Sequence, residues 1–223
     1  MSQLSELFKR PEGDGWLVLA DKLPALQGEF ANLADKLITH CDLSYLPICI
    51  SAEEKPSLTD LVHDLQSLLD LELQWITLDE AASIDAFDPG LVILTGGKST
   101  TWVDGLITSD IGRGLLQSLQ DGALVFVSDS AAAALGTWVV DQPEDEPFQG
   151  LGWLQGAIIS HRLEDPAESP IILDLLSRSE PLFALGLAGG RIFALGPGEE
   201  VELWGIGSPT LVLGRGWQLQ ADF

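Results

Sequence analysis

Short, wholly apolar runs alternate with segments whose apolar residues recur at three- and four-residue steps, and this alternation is the strongest constraint on the fold. Gly13-Asp14-Gly15 opens onto Trp16-Leu17-Val18-Leu19-Ala20, a run with no polar face that reads as a buried strand. Leu23, Leu26, Phe30, Leu33 and Leu37 then fall on one face of a helix. Tyr45–Ile50 reads as the next strand, with Pro47 denying it one ladder hydrogen bond. Ser57 and Asp60 have the spacing of a capping box ahead of Leu58, Leu61, Val62, Leu65, Leu68 and Leu69 on a second helix. Strands follow at Leu73–Leu78 and Leu91–Leu94, then a helix over Gly112–Gln120 and a strand at Leu124–Val127. Buried strands joined through helices require right-handed crossovers. The expected fold is therefore α/β, with a mainly parallel sheet covered by helices on both faces. Beyond about Gly186 the texture changes to short strands broken by glycines, Ile192–Leu195, Val201–Trp204 and Thr210–Leu213, which suggests a small antiparallel meander at the C-terminal edge.

The chain has 223 residues, a length that suits one domain spanning 1–223. Its net charge of −23 repels phosphate backbones and anionic lipid, so neither nucleic acid nor a membrane surface is an expected partner. No apolar run approaches the roughly 18 residues of a membrane span. Residues 1–10 lack the basic start and apolar run of a signal peptide. Cys41 and Cys49 are too few for a disulfide framework. A soluble cytoplasmic protein without a cofactor is the expectation.

In such a sheet the active site is expected beyond the carboxyl ends of the strands. Two ends are notable. Leu94-Thr95-Gly96-Gly97-Lys98-Ser99 puts a glycine pair directly after a strand, where backbone amides can approach a ligand or an oxyanion; an ordinary tight turn would use the same residues. Val125-Phe126-Val127-Ser128-Asp129-Ser130-Ala131-Ala132 runs from a strand into an alanine-rich helix through a serine with tiny neighbours. A nucleophile elbow needs that arrangement, because the sharp turn exposes the hydroxyl and small neighbours avoid clashes. Ser128, Asp129 or Ser130 acting only as a helix cap is the plainer alternative.

Of the three histidines, His40 and His63 read as surface or boundary residues. Together with Cys41 and Cys49 they have no recognised metal-ligand spacing, so no metal site is expected. His161 ends the apolar strand Gly156-Ala157-Ile158-Ile159-Ser160, and the order serine then histidine fits a nucleophile and its base.

From about Gly90 to Gly214, with weaker support back to Gly15, the chain resembles the cyanophycinase/aspartyl-dipeptidase family of serine peptidases, which has the flavodoxin-like fold of the class I glutamine amidotransferases. The family elbow G-x-S-A-G-A is matched by Ser128-Asp129-Ser130-Ala131-Ala132-Ala133 with both glycines replaced. Its G-G-G strand end is matched by Thr95-Gly96-Gly97, and its histidine block by Gly150-Leu151-Gly152-Trp153-Leu154-Gln155-Gly156 leading to His161. The resemblance implies a flavodoxin-like three-layer sandwich, Ser130 as nucleophile, His161 as base, and the amides of Gly97 and Ala131 as oxyanion hole. A glutamine amidotransferase would carry cysteine at the elbow, so serine points away from ammonia transfer. The family's orienting glutamate falls at Gly189 here.

Two readings follow. One is a divergent, weak or inactive serine-peptidase-like protein, kept as a binding or subunit module or a homo-oligomer. The other is an active serine hydrolase cleaving small peptide or amide bonds, acidic or β-aspartyl, in which Asp141, Glu144, Asp145 or Glu146 of the acidic loop replaces the orienting acid. Lys98 and Arg162 would then contact a substrate carboxylate. The tryptophans, including Trp102, Trp138, Trp153 and Trp217, suit a core or an interface.

Overall fold

The computed structural model describes residues 7–22, 31–53, 66, 72–81, 90–141, 146–178, 180 and 182–217. In chain order the elements are β1 (Trp16–Ala20), α1 (Ala31–His40), β2 (Ile48–Ser51), β3 (Gln74–Thr77), the single turn α2 (Leu78–Ala81), β4 (Leu91–Thr95), α3 (Ser99–Thr108), α4 (Ile111–Gln120), β5 (Leu124–Ser128) and α5 (Asp129–Ala134). After these come β6 (Trp138–Val139), β7 (Phe148–Gln149), β8 (Ala157–Ser160), α6 (Pro170–Leu176), β9 (Phe183–Gly186), β10 (Ile192–Leu195), β11 (Val201–Leu203) and β12 (Thr210–Leu213).

The larger sheet has the order β11-β10-β1-β5-β4-β2-β3. Its strands β1, β5, β4, β2 and β3 are parallel, and β10 and β11 add an antiparallel edge. The parity of the pleat explains why these strands are apolar throughout. Trp16, Val18, Leu124 and Phe126 enter one core with Leu33 and Leu37 of α1. Leu17, Leu19, Val125 and Val127 enter the other, with Trp102 of α3, Leu115 of α4 and Ala131, Ala132 and Ala134 of α5. The architecture is the mainly parallel α/β sandwich that the alternation implies.

A second sheet, β12-β9-β8-β6-β7, was not legible. Its β8 and β9 give Ile159 and Leu185 to the second of those cores. On their other face Ile158 and Ala184 meet Ile172, Leu175 and Leu176 of α6. The expected C-terminal meander is corrected accordingly. β10 and β11 are antiparallel in the large sheet, whereas β12 pairs antiparallel with β9 in the small one. The chain makes that change of sheet by crossing the Gly190 turn. Ile206 N–H donates to the Gly190 carbonyl at 2.9 Å, and a Cβ on Gly205 would lie 2.2 Å from that oxygen.

The expected strand over residues 45–50 begins later, at Ile48; Pro47 precedes it, and its carbonyl accepts from the Gln74 N–H of β3 at 2.9 Å. Leu23, Leu26, Phe30 and the helix expected from Ser57 to Leu69 lie outside the described residues, apart from Gln66, which is helical. Helix α6 was missed although it carries two start signals: Ser169 accepts from the Ile172 N–H at 3.4 Å, and Pro170 is its first residue. Among the described residues no helix is long and apolar enough to cross a membrane.

Candidate functional site

At the carboxyl end of β5 the chain turns sharply into α5. Ser128 is still extended, at φ −129° and ψ 165°. Asp129 is left-handed, at φ 57°, a conformation costing a non-glycine residue roughly 1–2 kcal/mol and tolerated best by Asn and Asp. Ser130 lies one residue further on, in the first turn of α5, and is 7% exposed. Its carbonyl oxygen accepts from Ser99 Oγ at 2.9 Å, and the same hydroxyl hydrogen-bonds the Asp141 carboxylate. Ala131 to Ala134 are buried. The alanine run is thus explained by packing, since α5 lies between the sheet, α3 and β8.

The Asp129 carboxylate ends a chain of hydroxyls. Ser128 Oγ donates to Thr95 Oγ1 at 2.8 Å, and Thr95 Oγ1 donates to Asp129 Oδ2 at 3.2 Å. Burial pushes the Asp129 carboxyl above its ordinary range. The charges of Asp21 and Glu53 push the same way, and hydrogen bonds to the carboxylate from the Thr95 hydroxyl and from the Ser128 hydroxyl, the latter at 3.4 Å, oppose them.

The glycine pair after β4 has positive φ at both positions, 73° at Gly96 and 75° at Gly97. Trp102 Nε1 donates to the Gly96 carbonyl at 2.6 Å, and a Cβ on Gly97 would lie 2.4 Å from the Ala52 Cβ. Backbone conformation and close approach therefore both demand glycine here. The Gly97 N–H donates to Glu53 Oε1 at 3.0 Å. Lys98 is exposed beside it, whereas Ala131 is buried.

His161 follows β8 and is 9% exposed. Burial pushes its pKa down to about 4, helped by the charge of Arg162, while Asp141 and Asp21 pull it up. The Arg162 Nε–H donates to His161 Nε2 at 3.1 Å. The ring is neutral at pH 7. Among the described residues no hydrogen bond joins His161 to Ser130 or to a carboxylate. Asp141 is half-buried and Glu146 exposed, and Glu144 and Asp145 lie outside the described residues.

The segment Gly150–Gly156 binds α5 to the histidine-bearing strand. Leu151 N–H donates to the Ala134 carbonyl at 2.8 Å, Gly152 to Gly136 at 2.9 Å and Leu154 to Leu135 at 3.0 Å. The Ala134 and Leu135 carbonyls belong to the last residue and the C-cap of α5, which the helix end leaves without intrahelical partners. The motif therefore has a positioning role whatever the chemistry.

Sequence reasoning missed three acids at this edge: Asp129 itself, Glu53 and Asp21. Gly189, where the family pattern has its orienting glutamate, has φ 92°. Its N–H and that of Gly190 both donate to Asp21 Oδ2, each at 3.1 Å. A carboxylate thus reaches this turn from the end of β1, across 168 positions of sequence. The one signal for it was its place directly after a buried strand. Among the described residues no group of three or more His, Cys, Asp or Glu could hold a metal ion.

His40 forms a three-ring cluster with Trp16 and Trp204, stacked on Trp204 at a centroid distance of 5.2 Å and tilted against Trp16 at 4.3 Å, while the two tryptophans lie 5.6 Å apart. His63 lies outside the described residues. A cavity of about 610 Å³ opens at the other, amino end of the sheet, and Arg10 lines it. The Arg10 guanidinium is committed to the carbonyls of Gly196, Pro11 and Gly13, so this wall is structural.

No protein-family model and no curated protein matches the chain. Solved structures do. A peptidase from an acI-B1 Actinobacterium superposes with a TM-score of 0.66 at 15% identity, covering 93% of each chain. A peptidase E candidate from Listeria monocytogenes EGD-e superposes with a TM-score of 0.53 at 11% identity, covering 86% of this chain and 99% of that one. The chain has a peptidase-like α/β fold, consistent with a flavodoxin-like sandwich. Identities this low define the fold and leave the chemistry to the site.

Proposed function

We propose that the chain is a divergent protein of the peptidase-like fold in which the Ser130–His161 pair does not support serine-peptidase turnover. The observation that carries this reading is the commitment of the Gly97 N–H to Glu53 Oε1. An oxyanion hole works by holding preorganised donors free for the charge that develops in the transition state, and losing one such donor costs about 10²–10³ in turnover. Here the donor already faces a carboxylate, which would also repel the oxyanion. His161 supports the same reading, since a group with a pKa near 4 is a weak base at pH 7 and its Nε2 already accepts from Arg162. Purified protein should give no Ser130-dependent labelling by a fluorophosphonate, and no turnover of acidic dipeptides, β-aspartyl dipeptides or simple esters. Turnover near about 1–10³ s⁻¹ that Ser130→Ala abolishes would overturn the reading.

The active-hydrolase reading has one observation in its favour: the charge of Asp141 acts on His161, and Asp141 is tied to the Ser130 carbonyl through Ser99. On that reading Asp141→Asn would remove activity about as completely as Ser130→Ala.

A further inference from the structure

We propose that Asp129, not Ser130, is the residue this strand-to-helix turn presents at the carboxyl edge, so that a carboxyl group stands where an elbow presents its nucleophile. A nucleophile elbow works because one residue sits at the vertex of a sharp, strained strand-to-helix turn, and that residue's side chain projects from the edge. Among the described residues the non-glycine positive φ values are those of Asp129 and Glu199, and only Asp129 lies at a strand-to-helix junction. Strained backbone of this kind persists where the surroundings over-determine it. Thr95 from the neighbouring strand donates to Asp129 Oδ2, and the helix that begins there is packed on all sides. Ser130, by contrast, is in the first helical turn, buried, with its carbonyl held by Ser99.

Sliding the elbow pattern by one residue agrees with this geometry. Ser130, Ala131 and Ala132 then occupy the three small positions after the vertex, and Asp129 stands in the serine's place. With Glu53 on the Gly97 amide, carboxylates of the chain itself then hold both reactive positions of the elbow.

The inference rests on the reading above only in locating the site at this turn, and its test does not depend on turnover. Asp129→Cys and Ser130→Cys are made separately in the full chain and treated with iodoacetamide near pH 7.5. In each reaction the thiol gives up its proton to buffer, the thiolate sulfur forms a C–S bond, and the C–I bond breaks with loss of iodide. The native thiols serve as a slow internal reference, because burial pushes both Cys41 and Cys49 up to about 12. A cysteine at the vertex should alkylate at least about tenfold faster than one at 130, by peptide mass mapping, since reactivity follows thiolate character and access. An equal or faster rate at 130 overturns the proposal. If a cysteine variant fails to fold, the melting temperatures of Asp129→Gly and Ser130→Gly decide the matter. Glycine accepts a left-handed vertex without steric cost but weakens a helical turn, so Asp129→Gly should melt higher than Ser130→Gly, and the reverse order overturns the assignment.

Discussion

Glu53 Oε1 accepts the Gly97 N–H at 3.0 Å, joining the segment after β2 to the glycine turn after β4. The glutamate is exposed, so the bond is worth little to stability, and its effect is on the site. It occupies one of the two amides, those of Gly97 and Ala131, that the sequence offered as oxyanion donors, and its charge raises the Asp129 carboxyl. Glu53→Gln keeps an acceptor and removes the charge. It should change unfolding free energy by no more than about 0.5 kcal/mol, as surface substitutions do, while the Asp129 carboxyl moves down toward its ordinary range. Carboxyl carbon NMR titration checks this, and an unmoved Asp129 would show that the two groups are not coupled.

Asp129→Asn gives a pH-dependent test of the half-buried carboxyl. A carboxyl raised by burial binds its proton more tightly in the folded chain than in the unfolded one. Ionised Asp129 therefore costs stability at neutral pH, and the cost disappears as pH falls toward its unfolded pKa of 3.8. Asn removes the charge and tolerates the left-handed backbone. The variant should be more stable than wild type at pH 7 in urea unfolding, with the gain shrinking toward pH 4. A gain that is constant across pH would place its origin elsewhere.

His161 should act in the opposite sense. Its pKa falls from 6.5 to about 4 on folding, so the unfolded chain takes up this proton first. Stability is fully present above pH 6.5 and is lost as pH falls toward 4, by up to about 3 kcal/mol at 1.36 kcal/mol per unit. His161→Gln should flatten this part of the stability profile. Proton NMR would show the His161 ring still neutral at pH 5, and a His161 titrating near 6.5 would contradict the burial argument.

Trp102 fixes the glycine turn from below: it is fully buried and its indole N–H meets the Gly96 carbonyl at 2.6 Å. Trp102→Phe keeps most of the ring but strands that carbonyl, at about 1–3 kcal/mol. Trp102→Ala adds a cavity, for about 3–5 kcal/mol in total. Urea unfolding ranks the two. A Trp102→Phe variant as stable as wild type would show that the hydrogen bond contributes nothing.

How much of this was legible follows from what each feature depends on. The parallel strands could be read because burial on both faces leaves apolar runs such as Leu91–Leu94 and Leu124–Val127, and those runs became β4 and β5. The second sheet could not: β6 and β7 are two residues each, too short to show a period. Helix α3 was hidden by Thr100, Thr101 and Gly105, which have poor helix propensity and are held by packing. At the site, the strand ends carrying Gly97, Ser130 and His161 were found, because turns after buried strands are local features. The left-handed φ of Asp129 was not, since Asp-Ser and Ser-Ala look alike until the vertex is placed. Glu53 and Asp21 reach their amides across 44 and 168 positions of sequence, a distance no local pattern spans.

The Asp21 contact yields the sharpest test of the site's electrostatics. Its Oδ2 is held by the N–H groups of Gly189 and Gly190, and its charge raises both His161 and Asp129. Removing that charge with Asp21→Asn should lower both, favouring the deprotonated form of each. His161 becomes harder to protonate, and Asp129 becomes easier to ionise. The amide can still accept from the two glycines, so any stability change from the lost charge-assisted bonds should stay within about 1–3 kcal/mol. Asp21→Ala removes the acceptor as well and should cost more, since both N–H groups then rely on water. The readout is a pair of NMR titrations, the His161 ring and the Asp129 carboxyl, in one variant. A downward shift of both places Asp21 in the field of the elbow and of the histidine together. If His161 holds its wild-type value while Asp129 falls, Asp21 belongs to the elbow alone, and it cannot serve as the acid missing at Gly189.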